Sequence, residues 1–383
     1  MRKLYLILLL PIFWLTSCND FLDVSADNEL LQKEIFADYK GVRMAVNGVY
    51  RNLSSTSLYG QNLTWGFASA IGHNYQSTSR IYLPYGLYEV ASFDWENASA
   101  QSLTGSIWAT GYNVIANCND IIQQVISKDT SFFGEGKMEK DMILGEMYGV
   151  RALVHFDLFR LFCPAPITQN TGRAIPYVTK YPDLQPSYQD APAFMDSVIM
   201  DMTRAQSLLA VVDTVFNRRQ NTSVEHRVRS EGKGLVDSPD DFFLYRATRM
   251  NYFAAKGLMA RVQLWGGDKE KAAITAKEVI AEGQAEGAEF FPFVTNSEAT
   301  SSNPDRVFYS EVLFGTYHSS REKLHEDLFA PTLESTSILT LAGTARRDDL
   351  YDNENDYRYS VWSTYNKNGT SVLYHRKFEK QDN

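Results

Sequence analysis

Apolar residues recur at helical spacing through most of the first three quarters of the chain. Ile35, Phe36, Tyr39, Val42, Val46, Val49 and Tyr50 predict a helix over 33–53. Trp108, Tyr112, Ile115, Ile122 and Val125 predict a second over 103–127, and 138–162 and 190–210 read as two more. Residues 246–265 and 268–283 form a helix pair around Gly266-Gly267, which stops the first helix, and Asp268, which can cap the second. Between these, 54–100 lacks the rhythm, and 214–240 is polar and charged and reads as a loop. Beyond 290 the pattern turns strand-like, in Arg306 to Phe314 and Tyr357 to Trp362. Asn368-Gly369, between two aromatic-rich runs, predicts a two-residue hairpin turn.

The pair at 246–283 places Met250, Phe253, Ala254, Gly257, Leu258, Arg261, Leu264 and Trp265 along one side. Its small residues, Ala254, Ala255 and Gly257, let a neighbouring backbone approach, and Ala272, Ala276, Val279 and Ile280 face back. Helix, short turn and helix with small interface residues resembles a tetratricopeptide unit; such units stack, and 103–162 is the second candidate pair. On helix 138–162, Glu146, Asp157 and Arg160 share one stripe, with His155 opposite. No second metal ligand accompanies His155 at metal spacing, so it reads as a satisfied core histidine, and Arg151 as a buried guanidinium tying loop carbonyls together.

Composition adds limits. The 383 residues are 44% hydrophobic and 22% charged, enough for a sizeable core, and the net charge of −9 argues against a dedicated nucleic-acid binder. The three cysteines exclude a disulfide scaffold; Cys118 and Cys163 read as small hydrophobes, placed too far apart on a helix pair to bridge. Arg2 and Lys3 precede an apolar run from Leu4 to Leu15, too short to span a bilayer, which reads as a signal peptide over 1–17. Its end, Leu15-Thr16-Ser17-Cys18, resembles the bacterial lipobox, which implies lipidation of Cys18 and cleavage before it. Residues 18–383 then read as a single domain, mainly helical over 18–290 and irregular or β over 291–383.

Four segments, in order, resemble the SusD/RagB family of outer-membrane nutrient-binding lipoproteins. They are Cys18 with Asp20-Phe21-Leu22-Asp23 and Asn47-Gly48-Val49-Tyr50; Trp108, Tyr112 and Ile115 with Asn117-Cys118-Asn119; Gly145-Glu146 through Arg151-Ala152 to Phe156-Asp157-Leu158-Phe159-Arg160-Leu161-Phe162; and Ala254-Ala255 through Leu258, Ala260-Arg261-Val262 and Leu264 to Gly267-Asp268 and Lys271-Ala272. Cys163 and Met147 replace smaller residues usual in the family, and the family's further C-terminal helix has no counterpart, which suggests a truncated chain. The resemblance implies a mostly α fold in which stacked tetratricopeptide-like helix pairs support a loop-rich, partly β ligand-binding half. It implies a lipid-anchored protein on the outer face of the outer membrane, a lid on a TonB-dependent SusC-like transporter. Such a protein captures oligomeric glycans, or in some members peptides, and performs no chemistry.

The residues themselves suggest where a ligand would sit. Residues 54–100 hold nine aromatics but only four Asp, Glu, Lys or Arg residues. A sugar presents an apolar C–H face and a rim of hydroxyls, which suit aromatic faces and amide or charged groups respectively. Trp65, Tyr75, Tyr82, Tyr85 and Trp95 are therefore expected to form a surface platform, with Asn74 and Arg80 meeting hydroxyls, while Phe67 and Phe93, lacking polar tips, are expected in the core. Tyr357, Tyr359 and Trp362 form a lesser aromatic cluster. Asp352, Glu354 and Asp356 could hold Ca2+, but Tyr357 stands where a calcium loop needs Gly, so a solvated acidic loop and no cofactor are expected. A secreted glycoside hydrolase is the enzymatic rival; the chain carries no nucleophile elbow, zinc-protease helix or phosphate loop.

Overall fold

The computed structural model describes residues 32–76, 83, 86–164, 172–222, 227–228, 241–284, 290–331, 333, 338–340, 344–351, 353, 355–367 and 369–379. The signal-peptide and lipobox readings, including Cys18, and the 77–82 and 84–85 stretches lie outside them.

Polar caps set the helix starts. The stretch predicted as one helix over 33–53 breaks at 36–38: a helical turn covers 32–35, and Asp38 then accepts from the Gly41 N–H and opens α1 (Tyr39–Leu53). Within the stretch read as a loop, two short helices form, α2 (Phe67–Ile71) and α3 (Leu87–Ala91). Asn97 caps α4 (Ala98–Ile126), which begins five residues before its predicted start, and α5 spans Gly136–Phe162. A two-stranded antiparallel sheet, β1 (Arg173–Pro176) and β2 (Tyr188–Asp190), precedes α6 (Ala191–Val211), which Asp190 caps. After the short α7 (Arg218–Thr222), Asn251 caps α8 (Tyr252–Trp265) and Asp268 caps α9 (Lys269–Gly283).

These helices stack in sequence. α1 packs on α4, α4 on α5, α5 on α6, α6 on α8 and α8 on α9. The fold is mostly α and built of tetratricopeptide-like pairs, with 103–162 and 246–283 among them. Close approach is enforced by glycine: a Cβ on Gly145 would stand 2.6 Å from Leu209 Cγ, so α5 and α6 meet there at backbone distance. Because α9 packs on α8 at the outside of the stack, its buried stripe is narrow: Ala272, Val279 and Gly283 are buried, whereas Ala276 and Ile280, expected to face inward, are exposed. Leu264 on α8 is likewise exposed.

Buried ion pairs bind the layers. Glu146 of α5 receives Arg249 through Nη2 at 2.8 Å, Arg246, and the Tyr50 hydroxyl at 2.9 Å. Arg246 also pairs with Asp213, which accepts from the Tyr252 N–H. Burial alone would raise the Glu146 carboxyl; the guanidiniums of Arg249 and Arg246 override it and hold the carboxyl below its ordinary value. Arg151 is buried as expected, but its partners are side chains, Asp201 through two bonds of 2.8 Å and Asn119 Oδ1 at 2.7 Å. Asn119 holds the loop carbonyls instead, at Val178 and Lys180. His155 is a satisfied core histidine: Nδ1 meets the Arg151 carbonyl at 2.9 Å and Nε2 accepts from the Val178 N–H at 3.0 Å, while burial pushes its pKa down to about 3. Cys118 and Cys163 are free thiols; burial pushes that of Cys118 up to about 12.

Beyond residue 290 come α10 (Asn296–Thr300), α11 (Arg321–Leu328), α12 (Thr344–Leu350) and an antiparallel hairpin, β3 (Trp362–Lys367) and β4 (Thr370–His375). Lys367 pairs with Thr370 around the predicted Asn368-Gly369 turn, and Gly369 takes φ +84°. The other two strand expectations fail. In 306–314 the Asp305 carboxylate accepts from the N–H groups of Val307, Phe308 and Tyr309 and coils the chain into a 3-10 turn over Tyr309–Glu311. Asp356 accepts from the Arg358 N–H and caps a second 3-10 turn over Tyr357–Val361, so of the strand-like run Tyr357 to Trp362 only Trp362 lies in a strand.

Candidate functional site

Two short helices end alike and bring their ends together. After α2, Gly72 is followed by His73 at φ +53°; after α3, Ser92 is followed by Phe93 at φ +56°. This is the position after a helix where glycine normally supplies the left-handed backbone. Backbone bonds hold both turns: His73 N–H to Ala70 and Asn74 N–H to Ser69, then Phe93 N–H to Val90 and Asp94 N–H to Glu89. A left-handed Phe is a genuine outlier, with a cost of roughly 1–3 kcal/mol, and such strain gathers at functional sites.

Its consequence is an exposed aromatic ledge. Phe93 is 52% and Trp95 41% exposed, with ring centres 6.1 Å apart. His73 lies 5.6 Å from the Phe93 ring and is anchored by Nε2 to the Ala91 carbonyl at 2.8 Å. Buried Phe67 supports Trp95 from 6.3 Å. Exposed Asn74, Ser92, Asp94 and Glu96 neighbour these residues in the chain and supply acceptors and donors. Flat apolar faces flanked by short polar groups are complementary to a sugar's C–H face and hydroxyl rim.

The structure redistributes the expected platform. Trp65 and Tyr75 are 6% and 8% exposed and are removed from it. Trp65 donates from Nε1 to the Gly60 carbonyl at 3.1 Å and packs edge-on against Phe329; the Tyr75 hydroxyl donates to the Trp65 carbonyl at 2.7 Å, and burial raises its pKa. Their polar tips find backbone acceptors inside, so both can serve as core. Trp95 and Asn74 are exposed, Phe67 is buried, and Phe93, expected in the core, is exposed instead. Arg80, Tyr82 and Tyr85 lie outside the described residues, as do Asp352 and Glu354. Asp356 is paired with Arg358, and among the described residues no three His, Cys, Asp or Glu side chains gather as a metal site. Tyr359 and Trp362 are committed within the fold, to Asp348 at 2.9 Å and to the His375 ring at 4.4 Å respectively.

Comparison with known proteins agrees with this architecture. A profile of the SusD-like family, described as "Starch-binding associating with outer membrane", matches residues 20–222, more than half of the chain. SusD-like protein P25 of Formosa agariphila is 27% identical over 158 residues, which are 40% of this chain and 29% of the relative's length. Among solved structures, a SusD superfamily protein of Bacteroides thetaiotaomicron aligns over 90% of this chain and 71% of its own with a TM-score of 0.62 at 21% identity. A SusD-like carbohydrate binding protein of Bacteroides vulgatus aligns over 90% of this chain and 66% of its own, with a TM-score of 0.62 at 15% identity. The chain belongs to the SusD-like family.

Proposed function

We propose that this protein is a cell-surface lipoprotein that binds oligomeric glycans on the Phe93–Trp95 ledge without altering them chemically. It is held on the outer membrane by lipid on Cys18 and delivers its ligand, as a lid, to a SusC-like TonB-dependent transporter. Family membership supports the carbohydrate ligand and the outer-membrane setting. The observation that carries the site is the exposed Phe93–Trp95 pair, with Phe93 in a left-handed backbone, beside Asn74. No helix among the described residues is long and apolar enough to cross a membrane.

Affinity electrophoresis of the purified protein through gels containing starch, plant cell-wall glycans or mucin glycans tests the reading. Retardation by at least one polysaccharide, with no shortened products released from it, is expected. Uniform mobility in all gels refutes glycan binding, and product formation refutes the non-enzymatic reading. Co-purification of a large β-barrel from mildly solubilised outer membranes tests the transporter partnership; its absence counts against the lid.

A further inference from the structure

A second concave surface lies on different elements and shares no residue with the ledge. A cleft of about 790 Å³ opens between the exposed side of α1, the 241–249 segment and residues 316–319. Its walls carry three arginines, Arg43, Arg51 and Arg249, but a single carboxylate, Asp241, in a chain whose net charge is −9. Two of the cations are spent: Arg43 on Glu139 at 2.5 Å, and Arg249 on Glu146 at 2.8 Å. Arg51 is exposed in the last turn of α1, and no hydrogen bond or ion pair engages its guanidinium among the described residues. Tyr245 lines the cleft as well, and the Ser55 hydroxyl there has no hydrogen-bond partner among the described residues, though it is shielded from solvent. Tyr245 also takes φ +56°, the same left-handed strain that marks the ledge, and Tyr317 on the opposite lip is 60% exposed.

We infer that this cleft is a second ligand site, selective for acidic oligosaccharides, in which Arg51 receives a uronate carboxylate. A planar guanidinium binds a carboxylate through two parallel hydrogen bonds. The Tyr245 and Tyr317 rings offer faces to the sugar, and the Tyr245 hydroxyl can donate to its ring oxygens and hydroxyls. The volume is that of a small-ligand pocket, large enough for two or three sugar residues. The inference rests on the glycan-binding reading above for its ligand class.

The test is calorimetric titration with α-1,4-trigalacturonate and with the neutral α-1,4-galactotriose, which differs only in carrying hydroxymethyl groups in place of carboxylates. Trigalacturonate is expected to bind at least tenfold more tightly. Arg51→Gln is expected to abolish that preference and Arg51→Lys to restore part of it, with thermal unfolding unchanged in both. Trp95→Ala is expected to leave the preference intact. Retention of the preference in Arg51→Gln, or its loss in Trp95→Ala, overturns the second site, as does an absence of trigalacturonate binding. If a tri-glutamate peptide binds more tightly than trigalacturonate and loses that affinity in Arg51→Gln, the ligand class is overturned while the site stands. If all glycans fail with wild-type protein, the general glycan reading fails along with it, whereas ledge-dependent glycan binding with an Arg51-independent profile refutes the cleft alone.

Discussion

Single residues here carry either the fold or the ledge, and the two can be separated. Phe93 occupies a backbone position that favours glycine, and its ring is half exposed. Phe93→Gly is therefore expected to unfold at a temperature no lower than wild type while glycan affinity falls; equal losses of both would show that the ring is structural. Glu146 is the opposite case. Its carboxylate neutralises two buried arginines, and removing one member of such a group leaves an uncompensated buried charge. Glu146→Gln is expected to lower stability by about 3–5 kcal/mol in urea unfolding. His155 predicts a pH dependence. Burial, reinforced by the charge of Arg151, depresses it from 6.5 to about 3, so the unfolded chain takes up a proton that the folded chain refuses. Its contribution to stability is complete above pH 6.5 and declines as pH falls from there toward 3, by about 1.4 kcal/mol per pH unit. The stability gap between wild type and His155→Gln should accordingly narrow between pH 7 and pH 5.

At the scale of elements, the close approach of α5 to α6 is a sharp point of failure. Gly145→Ala would press a methyl into Leu209, and a destabilisation of about 1–3 kcal/mol is expected, measurable by thermal unfolding. The same packing explains what was legible in sequence. The long helices declare themselves because each buries a face against a neighbour, and the Asn368-Gly369 turn does so because its backbone demands those residues. Residues 306–314 and 357–362 misled because single aspartates, Asp305 and Asp356, redirect the backbone through hydrogen bonds that hydrophobic pattern does not encode. The burial of Trp65 and Tyr75 was hidden for a related reason. Their polar tips suggest a wet surface, and only the carbonyls of Gly60 and Trp65 in three dimensions make a dry site acceptable. Phe93 carried the reverse signal. Nothing in its residue type marks exposure; the left-handed turn that ends α3 pushes it outward.

Across the whole molecule, a stacked helical array supports short, strained connections on which aromatic side chains stand exposed. The SusD-like family relationship and the aromatic-rich, weakly charged 54–100 stretch are the two grounds on which a glycan ligand is proposed. The stack provides the rigidity that a preformed ledge needs, so binding should cost little ordering of the protein. The central claim is that glycan binding runs through Phe93 and Trp95. Calorimetric titration of wild type and of the Phe93→Ala/Trp95→Ala double variant, with a neutral glycan that retards the wild type, tests it most directly. The expected result is at least a tenfold loss of affinity with thermal unfolding within a few degrees of wild type; unchanged affinity in the folded double variant would contradict the account.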